Sequence, residues 1–115
     1  DNIPHILLGL KPSGHWEFPG GKVKKDETDT NALHREWIEE LDADIEVGEF
    51  YVNVENGMYN VYFYIVELSK DDNDGSEAIA KEHIEVGWFG LDSLEELPMA
   101  VGNDLVVDLL IEDYL

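Results

Sequence analysis

The sequence contains no cysteine, which excludes both a disulfide framework and a thiolate metal site. No apolar run approaches the roughly 20 residues that a membrane-spanning helix needs, and no segment reads as a secretory signal. Positive charge is the other scarcity: seven Lys and Arg residues stand against 27 Asp and Glu, a formal net charge of −20. With so few cations there is little to displace counterions from a long phosphate backbone, which argues against passive DNA or RNA binding. The expectation is a cytoplasmic protein with no membrane partner and no nucleic-acid partner. The oligomeric state is left open.

What is present suits one domain. A chain of 115 residues, 43% hydrophobic, is large enough for a modest core and too apolar for a disordered tail. Residues 1–115 read as a single domain without internal repeat or linker. The scarce cations are also placed unevenly. Lys11, Lys22, Lys24, Lys25, Arg35 and Lys81 fall in or beside the segments that carry candidate chemistry, and only Lys70 is remote. A local positive funnel on an acidic body steers a small polyanion while repelling long ones. The plainer reading of the surplus carboxylates is a solvated coat.

Residues 3–10 are short and apolar and end at Lys11-Pro12-Ser13-Gly14, the pattern of a buried strand. Trp16 to Phe18 reads as a brief extended piece, because Pro19 keeps Phe18 out of the helical region. A helix is expected from near Thr28, a side chain able to cap it, to Leu41–Asp42. Residues 44–55 and 58–68 form an antiparallel hairpin around Asn56-Gly57. The run Val61 to Val66 is apolar at nearly every position, which predicts a central strand covered on both faces. Asp71-Asp72-Asn73-Asp74-Gly75 resembles a calcium loop, but Lys70 and Lys81 occupy the end positions where acids belong, so it reads as a polar loop. Ile84 to Phe89 is a further strand. A last amphipathic helix from Asn103 or Asp104 to Tyr114 turns Leu105, Val106, Leu109 and Leu110 inward. His5, His15, His34 and His83 fit no ligand spacing and read as packing or surface residues.

The first helix carries the chemistry. At about 100° per residue Glu36, Glu39 and Glu40 share one face, while Leu33, Trp37 and Leu41, with Ile38 beside them, form the stripe facing a core. Like charges on one face repel by roughly 0.2–0.5 kcal/mol per exposed pair. A hard divalent cation removes that cost, since Mg²⁺ takes carboxylate oxygens and keeps waters that a phosphate can replace. Just upstream, Gly20-Gly21-Lys22 is a loop whose backbone can approach an anion closely.

The register of these residues resembles the Nudix box: glycine, five residues, glutamate, seven residues, arginine-glutamate, an apolar residue, any residue, two glutamates, any residue, glycine, an apolar residue. Gly21, Glu27, Arg35, Glu36, Trp37, Glu39, Glu40 and Ala43 match it, and Asp42 stands where the last glycine is expected. The preceding Trp16-Glu17-Phe18-Pro19-Gly20-Gly21-Lys22 narrows the resemblance to MutT-like nucleoside triphosphate pyrophosphohydrolases. The resemblance implies an α/β/α sandwich with a mixed central sheet, and a further N-terminal strand upstream of residue 3.

It also implies a site. Glu36, Glu39, Glu40 and the Gly20 carbonyl would hold Mg²⁺ or Mn²⁺, with Glu82 reaching back from the Lys81-Glu82 pair. Glu27 and Arg35 would orient those ligands. Glu36 or Glu82 would serve as general base. Asn103 matches a base-reading asparagine, though it is an equally good helix cap. Phe18 reads as a stacking platform for a base or as core. Lys11 and Lys22 are the candidate phosphate contacts, and Gly57 replaces an arginine that would read guanine. The expected ligand is a small nucleotide: a triphosphate first, or a diphosphate-linked compound such as ADP-ribose. A non-catalytic nucleotide-binding module is the remaining alternative.

Overall fold

The computed structural model describes residues 3–56, 59–69 and 80–115. Strand β1 (His5–Leu10) is the centre of a three-stranded sheet, with β2 (Trp16–Glu17) on one edge and β5 (Glu85–Gly90) on the other, both antiparallel to it. A parallel bridge from Trp16 to Met99 extends the β2 edge. Strands β3 (Ile45–Asn56) and β4 (Tyr59–Leu68) form a separate antiparallel ribbon with a register shift between Val47 and Val52.

Two residues of β1 explain the layering. Successive strand side chains point to opposite faces, and Leu7 and Leu8 accordingly enter different cores. Leu7 packs with Trp37, Leu41, Ala43 and Ile45 beneath helix α1 (Asp29–Leu41). Leu8 packs with Leu91, Leu94, Val106, Val107 and Leu110, beneath a short 3-10 helix (Leu91–Glu96) and helix α2 (Asn103–Tyr114). A helix thus covers each face, the α/β sandwich expected. The sheet differs from expectation in coming as two pieces among the described residues. Both edges of β1 are taken by β2 and β5, so the ribbon joins the cores through side chains such as Ile45 and Val54.

Helix α1 begins and ends where its residue chemistry places it. Thr28 Oγ1 accepts the Asn31 N–H at 3.1 Å, and Asp42 closes the helix in the left-handed region (φ 51°, ψ 39°), its N–H reaching Ile38 O at 3.0 Å. A side chain there is strained where glycine is not. Asp42→Gly is therefore expected to stabilise the fold by about 0.5–1 kcal/mol, read as a rise in thermal midpoint. An unchanged or lower midpoint would show that Asp42 compensates its own strain.

Several expectations are corrected. β4 is not central: among the described residues it pairs only with β3, and Val61 and Tyr62 are exposed. Alternation explains Tyr62, which lies with Tyr64 and Phe50 on a tyrosine-rich face that tolerates water, while Phe63 turns inward to Phe18. Leu105 is exposed, and Val107 takes its place on the buried face of α2. Ile38 lies outside the buried stripe of α1 and is exposed. Gly57 and the Asp71–Gly75 run fall outside the described residues.

Candidate active site

The glycine loop and α1 are tied together by Arg35. Its Nε and Nη2 donate to the two oxygens of Glu27 at 2.8 and 3.0 Å, and Nη2 also donates to Lys22 O at 2.9 Å. Nη1 donates to Glu36 at 2.7 Å and to Glu39 at 3.2 Å. One planar guanidinium thus grips the loop and two carboxylates of the helix at once, which a point charge cannot do. The hydrogen bonds from Arg35, with the Lys24 N–H at 2.9 Å, hold the Glu27 carboxyl down to about 2. Glu27 and Glu36 in turn push the Arg35 pKa up. The loop lies close: a Cβ at Gly21 would overlap the Glu36 carboxylate, and Gly20 adopts a positive φ of 148°.

Glu40 is different from its neighbours. It is the buried charged residue among those described, 3% exposed, and its Oε2 has no hydrogen-bond partner. Burial, then a hydrogen bond and like charge from Glu36, then the charges of Glu82 and Glu17, push its pKa up to about 8. The segment that carries Glu82 is docked on the end of α1, with Lys81 N–H donating to Glu40 O at 2.9 Å and Lys81 Nζ reaching Ile38 O at 3.4 Å. Glu82 itself is exposed.

Two members of this cluster escaped the sequence reading. His83 Nε2 lies 2.8 Å from Glu17 Oε2 and 3.8 Å from Glu40 Oε1. Glu17, Glu40 and His83 each offer an atom within 4.8 Å of the others'. Glu17 sits inside the Trp16–Lys22 stretch and His83 directly follows Glu82, so adjacency to motif residues was the available clue. Histidine spacing could not reveal the contact, because strand pairing brings residues 66 positions apart together.

On the other side of Glu17 opens a cavity of about 280 Å³ lined by Lys11, Ser13, His15, Val101 and Asn103 among others. Asn103 is not the cap of α2; Gly102 is, without a side-chain bond. Instead Asn103 Oδ1 accepts the Phe18 N–H at 3.0 Å, coupling the glycine loop to α2. The Phe18 ring meets Phe63 edge-on at 5.7 Å and packs against the α2 core, which favours its core reading over a free stacking platform. Lys22 is exposed, and its carbonyl serves Arg35.

The donor set suits a hard divalent cation. It is rich in carboxylates, it contains no thiolate, and it includes one buried carboxylate oxygen that the protein leaves unpaired. Fold and site together describe an α/β sandwich with a glutamate-lined helix behind a glycine loop. The NUDIX domain matches residues 5–110, and the chain belongs to the Nudix family. It is 32% identical over 100 residues to the CTP pyrophosphohydrolase of Escherichia coli, covering 83% of this chain and 73% of that protein. It is 29% identical over 110 residues to the 8-oxo-dGTP diphosphatase of Buchnera aphidicola, covering 92% of this chain and 85% of that one. A solved MutT structure, from work on the Aliivibrio salmonicida and Vibrio cholerae enzymes, superposes with a TM-score of 0.79 at 27% identity, covering 96% of this chain and 87% of that one. The protein is a Nudix hydrolase of pyrophosphate bonds, a family whose members generally need a divalent metal. Among the described residues no helix is long and apolar enough to cross a membrane.

Proposed function

We propose that this hydrolase is a Mg²⁺-dependent (or Mn²⁺-dependent) enzyme that cleaves a nucleoside triphosphate to the monophosphate and pyrophosphate. The observation that carries this reading is the buried, unpaired Oε2 of Glu40, set among Glu36, Glu82 and Glu17 beside a cavity reached by Lys11 and Asn103. Glu36, Glu39, Glu40, Glu82 and the Gly20 carbonyl are the groups that would hold the metal. When bound, the metal supplies charge neutralisation for the polyphosphate and lowers the pKa of a coordinated water.

The chain's own residues do the rest. Arg35, gripped by Glu27, keeps Glu36 and Glu39 on the loop side of the helix. Glu36 or Glu82 accepts the proton of the attacking water. Lys11 and Lys22 meet phosphate oxygens, and Asn103 reads the base once its bond to Phe18 N–H is exchanged. Oxidised purines such as 8-oxo-dGTP are the leading substrates, with CTP or a modified dCTP next, in keeping with the relatives named above. The chemistry is handled by the helix face and the base by other segments, so relatives diverge in substrate while sharing the box.

A hydrolysis panel of about a dozen nucleotides, with and without Mg²⁺, tests this. The expected product of the preferred substrate is pyrophosphate, with activity lost on removing the metal. Hydrolysis confined to ADP-ribose or dinucleoside polyphosphates would move the assignment to diphosphate-linked compounds. Tight binding without turnover would leave a nucleotide-binding module.

A further inference from the structure

His83 is 5% exposed, and its backbone neighbourhood is held on both sides. Lys81 N–H donates to Glu40 O, and Ile84 N–H donates to Leu10 O, both at 2.9 Å. The ring lies flat on Gly9 of β1, where a Cβ would stand only 2.5–2.6 Å from three of its atoms. Glycine is needed there for space: any side chain would push the imidazole away from the carboxylates.

The surroundings also select the tautomer. Nε2 faces Glu17 at 2.8 Å and Glu40 at 3.8 Å, while Nδ1 is buried without a partner. A proton on Nε2 gives the carboxylates a donor and leaves only a bare acceptor at Nδ1. The opposite tautomer would bury an unpaired N–H and aim a lone pair at two acids, which costs more. The same asymmetry argues against His83 as a metal ligand, since a ligating imidazole almost always donates its other N–H to a partner.

We propose that His83 is a positioning residue of the cation site: its Nε2–H pins Glu17 and flanks Glu40 Oε1, leaving Glu40 Oε2 to face the metal. This rests on the metal-dependent reading above. Glu17 gains a fixed place between the cavity and the buried carboxylate, so the loop strand β2 and the end of α1 are set relative to one another. Gly9 is the floor that makes the arrangement fit.

Mn²⁺ titration by electron paramagnetic resonance, combined with steady-state kinetics and thermal midpoints, tests the role in wild type, His83→Gln, His83→Leu and Gly9→Ala. The leucine and Gly9 variants are expected to weaken Mn²⁺ binding about tenfold or more, with kcat falling alongside, the range seen when an outer partner that orients a metal site is lost. The glutamine variant, which keeps an N–H donor, is expected to recover most of that loss. Mn²⁺ affinities within about twofold of wild type in all variants would overturn the proposal. So would equal weakening in glutamine and leucine variants of equal thermal midpoint, since the ring would then only fill space. Long-range proton–nitrogen correlation on the wild type needs no variant, and a ring that carries no proton on Nε2 would also overturn it. Wild type that binds no Mn²⁺ would sink the metal-dependent reading itself and this role with it, whereas wild type that binds alongside unaffected variants would sink this role alone.

Discussion

Replacing Glu40 by Gln is expected to cut hydrolysis by about 10²–10⁴-fold, the range for losing one positioned acid–base or electrostatic group. The same change is expected to make the metal-free protein more stable at pH 8. The two effects share a cause. Glu40 is buried with one oxygen unpaired, so the folded state resists its ionisation and its pKa rises from 4.5 to about 8. Between those values the folded protein binds more protons than the unfolded chain, and stability falls as pH rises. Glutamine mimics the neutral acid and removes that slope. Below about pH 4 the variant and wild type should melt together. At pH 8 the variant should gain on the order of 2–4 kcal/mol, or roughly 8–16 °C in midpoint. If Glu40 holds the metal as proposed, Mg²⁺ should raise the midpoint of wild type and do much less for the variant. Midpoints that track each other across pH, with hydrolysis retained, would remove Glu40 from the site.

Arg35→Lys is expected to lower kcat/KM by about 10–100-fold, the cost typical of losing a partner that orients metal ligands. Lysine keeps the charge but cannot make the paired bonds to Glu27, the contacts to Glu36 and Glu39 and the bond to Lys22 O together. The loop is then no longer held against the helix, and Glu36 and Glu39 lose their common counter-charge. A pH signature accompanies the loss. Glu27 titrates at about 2 in the fold against 4.5 ordinarily, so its contribution to stability is present above about 4.5 and disappears as pH falls toward 2. The gap in thermal midpoint between wild type and Arg35→Lys should therefore be widest above pH 4.5 and close on acidification. A gap independent of pH would show that Arg35 stabilises through packing of its stem and not through Glu27.

Helix α1 was legible nearly to the residue. Thr28 can cap, Asp42 can enter the left-handed region, and the spacing of Trp37 and Leu41 marks the buried side. The β3–β4 ribbon was legible in outline, since its residues alternate around a turn sequence. The covering of β4 was not. An apolar run states that a strand tolerates burial on both faces, not that partners arrive on both. Leu105 and Val107 differ for a similar reason: neighbouring positions on a short amphipathic helix are equally apolar, and only the direction of docking chooses between them.

The site divides along the same line. Which carboxylates share a helical turn, and that Arg35 and Glu27 stand in register with them, is written in the residue order, because those relations follow from helix pitch and local spacing. The same order also determined the family, since the box is a local pattern of fixed intervals. Packing in three dimensions is what buries Glu40, alone of the three glutamates, with an oxygen to spare, and lets Arg35 gather the other two. It likewise brought His83 onto Gly9 and against Glu17. Burial and the meeting of distant strands depend on how β1 packs between its neighbours, and no interval within the chain encodes that distance.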